Sequence, residues 1–251
     1  MDKLIIDVVG IGPGDARKMT VEAYEALESA DIIIGYGTYV ELVKKSFPDK
    51  YYLETPMTKE VDRCRMAYEE ALKDPSKKVV MVSSGDAGIY GMASIMYEIG
   101  TEYPDVSVRV IPGVTAAISG AALLGSPIAN DFAVISMSDR MTPFEQIEKR
   151  LRAAAEADFG IVIYNPESKG RSGYLKKACE IIAPFIDADR PCGVARNIGR
   201  EDESSKIMKF SELAEYTADM FTTVFIPNSN TVRIDDHIVT KRGYTSRQDK
   251  N

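Results

Sequence analysis

Directly behind the apolar run Val79–Val82 stand Ser83-Ser84-Gly85-Asp86-Ala87-Gly88-Ile89-Tyr90-Gly91-Met92-Ala93. Four apolar residues between Lys78 and a Ser-Gly-Asp turn predict a buried strand running into a loop. Small residues there let backbone N–H groups come close to a ligand, and Asp86 sets a carboxylate at the strand end. In an open α/β sheet that end is where small molecules bind. Aspartate at such a turn also serves simply to bind nearby amides. The bare backbone at Gly85, Gly88 and Gly91 tilts the reading toward a ligand. Pro112-Gly113-Val114-Thr115 is a second loop of this kind, at a helix start whose first N–H groups point outward.

Gly10-x-Gly12-x-Gly14 after a strand invites a dinucleotide reading. That fingerprint needs Gly-x-Gly-x-x-Gly opening a helix, with an acidic residue about 20 positions on. Here the third glycine comes one residue early, Asp15 stands in its place, and Pro13 removes an amide from the phosphate cradle. The second strand ends in Gly35-Tyr36, with no carboxylate for a ribose. A structural turn or a close-approach loop for another ligand fits better. The sequence has no Gly-x-x-x-x-Gly-Lys-Ser/Thr, so no P-loop is expected. His237 is the single histidine and lies near the C-terminus, which excludes Ser-His-Asp chemistry elsewhere and any multi-histidine metal site. Cys64, Cys179 and Cys192 are widely spaced without metal-ligand spacing and read as reduced, partly buried fillers of a cytoplasmic protein. No metal is expected.

These residues need a scaffold. Leu4–Val9 reads as a strand, and Thr20 as the N-cap of a helix carrying Ala23, Ala26, Leu27 and Ala30. Asp31–Ile34 reads as a strand closed by Gly35-Tyr36-Gly37-Thr38-Tyr39, and Lys59–Lys73 as a helix capped by Thr58. Val79–Val82 (strand), Ala93–Ile99 (helix) and Val106–Ile111 (strand) continue the alternation, which predicts βαβ units and a mostly parallel sheet. An Ala/Gly-rich helix runs to about Leu124, and Gly125-Ser126-Pro127 breaks the pattern. The second half is expected to hold strands Phe132–Ser136, Gly160–Tyr164, Cys192–Ala195, Lys206–Phe210 and Thr223–Ile226, then a strand pair within Val232–Val239. Its helices are a capping-box helix opened by Thr142-Pro143-Phe144-Glu145, Tyr174–Ile186 interrupted by Pro184, and Ser211–Tyr216. Strands outnumber helices there, so a mixed sheet is expected. The fold class is thus α/β, with domains at 1–120 and 121–245 and a polar tail at 246–251.

Composition sets outer bounds. The 251 residues, 45% hydrophobic and 27% charged, suit a soluble chain of one or two domains. No apolar run reaches membrane-span length, and Met1-Asp2-Lys3 leads straight into a strand, so neither membrane nor leader peptide is expected. A net charge of −7 without a basic face argues against nucleic acid.

Three motifs in order carry a family resemblance: Gly10-Ile11-Gly12-Pro13-Gly14 with Met19-Thr20 and Ala26-Leu27, then Gly85–Ala93, then Ile111-Pro112-Gly113-Val114-Thr115-Ala116. From Val8 to about Thr240 the chain resembles the tetrapyrrole (corrin and porphyrin) methyltransferases that use S-adenosylmethionine. Further stretches are similar to the branch that methylates carbon 17 of precorrin-3B or cobalt-factor III, with ring contraction, in cobalamin synthesis. They are Gly35–Tyr39, Ser136–Phe144, Tyr164–Ser168 with Arg171, and Pro227–Thr231. Two positions depart from that pattern: Ala87 replaces a proline, and Pro227 a glycine.

The resemblance implies two α/β domains with S-adenosylmethionine in the cleft between them. Pro13, Asp86, Ile89, Thr115 and Ala116 would line it from the first, and Tyr164, Ala195 and Asn228 from the second. The tetrapyrrole carries many carboxylates, so Arg140, Arg171, Arg196 and Arg200 are candidate partners. Tyr36, Thr38 and Tyr39 would pack beside the macrocycle, and Ser138 and Asp139 are polar candidates near the reacting face. Methyl transfer from a sulfonium asks mainly for an in-line approach of about 3 Å. No catalytic base is therefore assigned. The family implies a homodimer. Rival readings are another tetrapyrrole or diphthine-type methyltransferase of the same fold, a non-catalytic tetrapyrrole- or nucleotide-binding protein, and a nicotinamide oxidoreductase.

Overall fold

The computed structural model describes residues 3–168 and 170–244, and the polar tail expected over 246–251 lies outside them. The chain divides after Ala116 into two units. The division falls at the start of the helix within which domains 1–120 and 121–245 were expected to part.

The first unit holds β1 (Leu4–Gly10), α1 (Val21–Glu28), β2 (Ile32–Tyr36), α2 (Gly37–Lys44), β3 (Tyr51–Thr55), α3 (Glu60–Lys73), β4 (Val79–Ser83), α4 (Ala93–Gly100) and β5 (Val106–Ile111). Its five strands form one sheet in the order β3-β2-β4-β1-β5, and every neighbouring pair is parallel. The apolar runs are continuous because both faces are covered. Successive side chains point to opposite faces. Ile6, Val8, Ile32, Ile34, Val79 and Met81 therefore meet α3 and α4 through Cys64, Ala67, Tyr68, Ala93 and Met96. Val9, Ile33, Val80 and Val82 meet α1 and α2 through Ala23, Leu27, Val40 and Val43. Asp7 interrupts β1 with a buried carboxylate, held by Arg109 through two bonds of 2.7 and 2.8 Å.

The second unit holds α5 (Ala116–Leu124), β6 (Gly125–Ser126), β7 (Phe132–Ser136), α6 (Phe144–Glu156), β8 (Gly160–Tyr164), α7 (Tyr174–Ile182), β9 (Pro191–Arg196), β10 (Ser204–Lys209), α8 (Phe210–Leu213), β11 (Thr222–Ile226), β12 (Thr231–Ile234) and β13 (His237–Thr240). Its main sheet runs β10-β9-β11-β8-β7 and is mixed, since β7 and β8 are parallel and the other pairs antiparallel. A small sheet, β12-β13-β6, adjoins it. One face of the main sheet packs Ile163, Cys192, Val194, Val224 and Ile226 against α6 and α7. On the other face α5 lies close, and small residues make the room. A Cβ on Gly120 would meet the Phe225 ring at 2.8 Å, and one on Gly193 would meet Leu124 at 2.6 Å.

Several expected boundaries move for identifiable reasons. Gly37-Thr38-Tyr39 opens α2 instead of closing a strand. Thr58 sits at φ 74 and does not cap α3; the Glu60 carboxylate instead accepts the Thr58 amide at 3.2 Å. The capping box at Thr142 does not form: Pro143 takes the cap position of α6 without a side-chain bond. Pro184 ends α7 at Ile182, and a 3-10 turn follows over Ala183–Phe185. The expected helix Ser211–Tyr216 shrinks to the single turn of α8.

Candidate active site

In the first unit, parallel strands bring the loops after β1, β4 and β5 to one end of the sheet. β1 and β4 are neighbours whose following helices, α1 and α4, cover opposite faces. Ligands bind at such a switch point. The loops interlock through backbone. Gly12 and Gly85 exchange both bonds, N–H to carbonyl, at 3.0 and 2.8 Å. A Cβ on Gly113 would come within 2.1 Å of the Gly85 carbonyl oxygen and 2.4 Å of that of Gly10. The glycines thus serve first to let three loops touch.

Asp86 completes the interlock. Its Oδ1 accepts the Gly88 amide at 2.8 Å and its Oδ2 the Gly113 amide at 2.9 Å. The carboxylate therefore holds two loops together, binding amides as an aspartate at such a turn can. Next to it Gly88, Ile89 and Tyr90 are exposed, Tyr90 at φ 54. Ala87 is buried in the core and accepts the Ala93 amide at 2.9 Å. Pro13 and Thr115 are buried and Ala116 is half-buried. Asp15, where a dinucleotide loop would have glycine, accepts the Arg17 amide at 2.9 Å and caps the 3-10 turn Ala16–Lys18. α1 starts only at Val21, so Gly14 does not open a helix.

At the same sheet end, Tyr36, Thr38 and Tyr39 cluster where β2 passes into α2. The two tyrosine rings meet edge to face at 5.2 Å. Arg63 lies 6.0 Å from the Tyr36 ring centroid. Burial pulls its guanidinium below the ordinary arginine value, and it stays protonated at neutral pH. Arg63 was missed because it occupies the inward stripe of α3 with Cys64, Ala67, Tyr68 and Ala71. A cation spaced i, i+4, i+8 with two alanines was the available signal.

In the second unit, β7, β8 and β9 run the same way, with β11 against them. Their C-terminal ends gather Ser138, Asp139, Tyr164, Arg171, Ala195, Arg196 and Arg200. Arg171 NH1 donates to the Ser138 hydroxyl at 2.9 Å and lies 3.9 Å from Asp139 Oδ1. Its Nε is buried and has no hydrogen-bond partner among the described residues. Tyr174, read in the sequence only as the start of a helix, donates its hydroxyl to Asp139 Oδ2 at 2.6 Å. That bond holds the Asp139 carboxyl below the usual carboxylate value and raises the Tyr174 phenol. Ser136 Oγ accepts from Asn165 Nδ2 at 3.0 Å and from the Ser138 amide at 3.1 Å, which shapes the loop. The Tyr164 hydroxyl accepts the Ala117 amide at 2.6 Å, in the first turn of α5.

The remaining arginines differ. Arg196 is committed to Asp219 at 2.8 Å and Asp202 at 3.4 Å. Arg200 lies 5.0 Å from the Phe221 ring centroid, and Arg140 is exposed. Ala195 pairs with Thr223 at the level where β8 ends, whereas Asn228 lies five residues further along the opposed chain. That is roughly 16 Å at strand rise. Asn228 therefore stands at the other end of the sheet from Tyr164 and Ala195, where its Oδ1 accepts the Asn230 amide at 3.2 Å. There Ser229 is bound to Asp158, just before β8 starts, and the Pro227 carbonyl accepts from Arg190 at 3.4 Å. The structure joins Ser138, Asp139 and Arg171, and separates Asn228 from the other second-unit positions.

Thiol chemistry is disfavoured. Burial pushes Cys64 and Cys179 up to about 12 and raises Cys192 further. The three thiols are free and buried, fuller burial than the sequence suggested. Among the described residues no group of three or more His, Cys, Asp or Glu could hold a metal, and no helix is long and apolar enough to cross a membrane.

Residues 6–214 match the family described as Tetrapyrrole (Corrin/Porphyrin) Methylases. A probable cobalt-factor III C(17)-methyltransferase of Salmonella typhimurium is 44% identical over 242 residues, 96% of this chain and 100% of that protein. A precorrin-3B C(17)-methyltransferase of a Sinorhizobium species is 38% identical over 246 residues, 94% of this chain and 96% of that protein. The crystal structure of the methyltransferase CobJ matches with a TM-score of 0.86 at 34% identity, covering 94% of this chain and 99% of that one.

Proposed function

The chain belongs to the tetrapyrrole (corrin/porphyrin) methylase family, and we propose that it transfers a methyl group from S-adenosylmethionine to carbon 17 of a corrin-pathway tetrapyrrole. The substrate in this reading is precorrin-3B or cobalt-factor III, the protein is a cytoplasmic homodimer, and methylation accompanies ring contraction. The observation that carries it is similarity along nearly the whole chain to proteins named for that reaction.

The first unit's loops fit an S-adenosylmethionine site. Gly88, Ile89 and Tyr90 are exposed beside a carboxylate that fixes their position, and Pro112 and Gly113 are drawn to the same place. Backbone groups and the Ile89 side chain can meet a nucleoside there without disturbing the core. When bound, the cofactor supplies an electrophilic methyl group. The residues' task is then orientation, since in-line placement accounts for most of what such a displacement needs. Asp86 serves that task indirectly, by fixing the Gly88 and Gly113 amides. Pro13, Thr115 and Ala116 contribute loop shape. Tyr164 and Ala195 are proposed from the second unit; Asn228, at the far end of its sheet, is not among them.

For the macrocycle we assign Tyr36, Thr38 and Tyr39 as packing and hydroxyl partners, and Ser138, Asp139 and Arg171 as polar ones. Arg140 and Arg200 stay in the proposed set. Arg196 contributes less because two carboxylates already face it. An electron-rich macrocycle carbon attacks without a strong base, in keeping with buried thiols and a lone exposed histidine.

Calorimetric titration with S-adenosylhomocysteine, and with NAD in a matched sample, tests the cofactor class. Micromolar binding of the first and none of the second is expected. The reverse pattern would end the methyltransferase reading.

A further inference from the structure

Among the described residues of the first unit two charged side chains, Asp7 and Arg63, are deeply buried, and the fold treats them differently. Asp7, 1% exposed, is matched by the Arg109 fork and by Lys78 at 3.7 Å. Arg63, 4% exposed, makes no ion pair among the described residues. Its Nε donates to the Thr55 hydroxyl at 2.9 Å, its NH2 to the Pro56 carbonyl at 3.1 Å, and its NH1 to the Met92 sulfur at 3.4 Å. None of these acceptors carries a formal charge, and thioether sulfur is a weak acceptor. Burial outweighs the help of Glu60, one turn before it, which favours the charged form without forming an ion pair. A buried cation left without a paired carboxylate is costly, and such groups cluster where they act on something.

Placement narrows what that something is. Tyr36 ends β2, Thr55 ends β3, and Met92 follows β4. These strands are neighbours in the sheet and all parallel, so Arg63 reaches from the first turn of α3 over the ligand-binding end. A guanidinium has five N–H donors. Three are used here, which leaves one hydrogen on NH1 and one on NH2. The NH1/NH2 edge is the end-on face of a guanidinium, and it receives a carboxylate bidentately once the Met92 sulfur gives up its bond to NH1. Methionine is flexible enough to yield its place.

We propose that Arg63 is a subsite for one peripheral carboxylate of the tetrapyrrole, which takes the NH1/NH2 edge as the Met92 sulfur moves aside. This rests on the methyltransferase reading for the class of the substrate, and adds to it the residue that holds one corner of the macrocycle beside Tyr36 and Tyr39. A purely structural Arg63 would only pin the end of β3 to α3 through Thr55 and Pro56.

Uroporphyrin I, an eight-carboxylate macrocycle, is the probe, titrated into the full-length protein and followed by fluorescence, with S-adenosylhomocysteine affinity measured on the same samples. Arg63→Met is expected to raise the uroporphyrin Kd at least tenfold while the S-adenosylhomocysteine Kd stays within twofold. Met92→Glu places a carboxylate where the sulfur sits. It is expected to raise Tm, because the buried charge gains its partner, and to weaken uroporphyrin binding at least tenfold by occupying the subsite. Should Arg63→Met fail to fold, Met92→Glu decides alone. A folded Arg63→Met that binds uroporphyrin like wild type would overturn the proposal. So would a Met92→Glu that unfolds or keeps full affinity, or a wild type that does not bind uroporphyrin. Loss of S-adenosylhomocysteine binding in wild type would strike the cofactor reading instead, and the uroporphyrin comparison would still stand separately.

Discussion

Asp86 ties two loops together at the place proposed for the cofactor. Each of its oxygens is spoken for, by Gly88 and by Gly113; on truncation water can reach the exposed Gly88 amide, but the part-buried Gly113 amide loses its acceptor. Leaving a partly buried donor unmet costs about 1–3 kcal/mol. Asp86→Ala should therefore lower stability by roughly 2 kcal/mol in urea unfolding as well as weaken S-adenosylhomocysteine binding. A variant with weakened binding and an unchanged unfolding midpoint would mean the carboxylate acts on the ligand directly. The sequence could place a carboxylate at a strand end, because turn chemistry is local. It could not say which amides that carboxylate meets, since Gly113 lies 27 positions away and arrives only through sheet pairing. Arg63 escaped for the opposite reason. Its position on α3 was readable, but its exposure depends on what β2, β3 and β4 place above it.

At the level of elements, the glycine motifs were legible as loops and less so as to purpose. Bare backbone was read as room for a ligand, whereas Gly10 and Gly113 make room for each other and for the Gly85 carbonyl, and Gly85 itself turns at φ 65. Gly113 tests this, since a Cβ there meets two backbone oxygens that no side-chain rotation can relieve. Gly113→Ala should cost roughly 3 kcal/mol, the scale of overpacking a rigid contact, and remove S-adenosylhomocysteine binding. An alanine variant with wild-type Tm and affinity would show the loops to be loosely packed. Buried parallel strands were read nearly to the residue, because continuous apolar runs announce them. β3 was not, because it is an edge strand whose side chains are mostly exposed or half-buried and make no continuous apolar run. α2 was missed because Gly37 and Thr38, poor helix formers, open it. Its inward residues Val40 and Val43 draw it onto the sheet regardless.

Across the whole molecule, the net charge of −7 sets a long-range field that opposes a polycarboxylate ligand. The cations proposed to receive that ligand do little to reverse the field at a distance. Arg196 faces Asp219 and Asp202, Arg171 lies near Asp139, and Arg63 is buried. Their attraction acts at contact, where a guanidinium meets a carboxylate directly, and the repulsion acts during approach. Salt separates the two, because the screening length falls from about 30 Å at 0.01 M to about 8 Å at 0.15 M. Over that range the association rate of uroporphyrin, read by stopped-flow fluorescence, should rise about threefold as the repulsion is screened. The dissociation rate should rise too, since contact pairs also weaken with salt. An association rate that falls with added salt would mean that a local basic face steers the ligand in. The exposed Arg140 and the ring-stacked Arg200 would then be the first residues to replace.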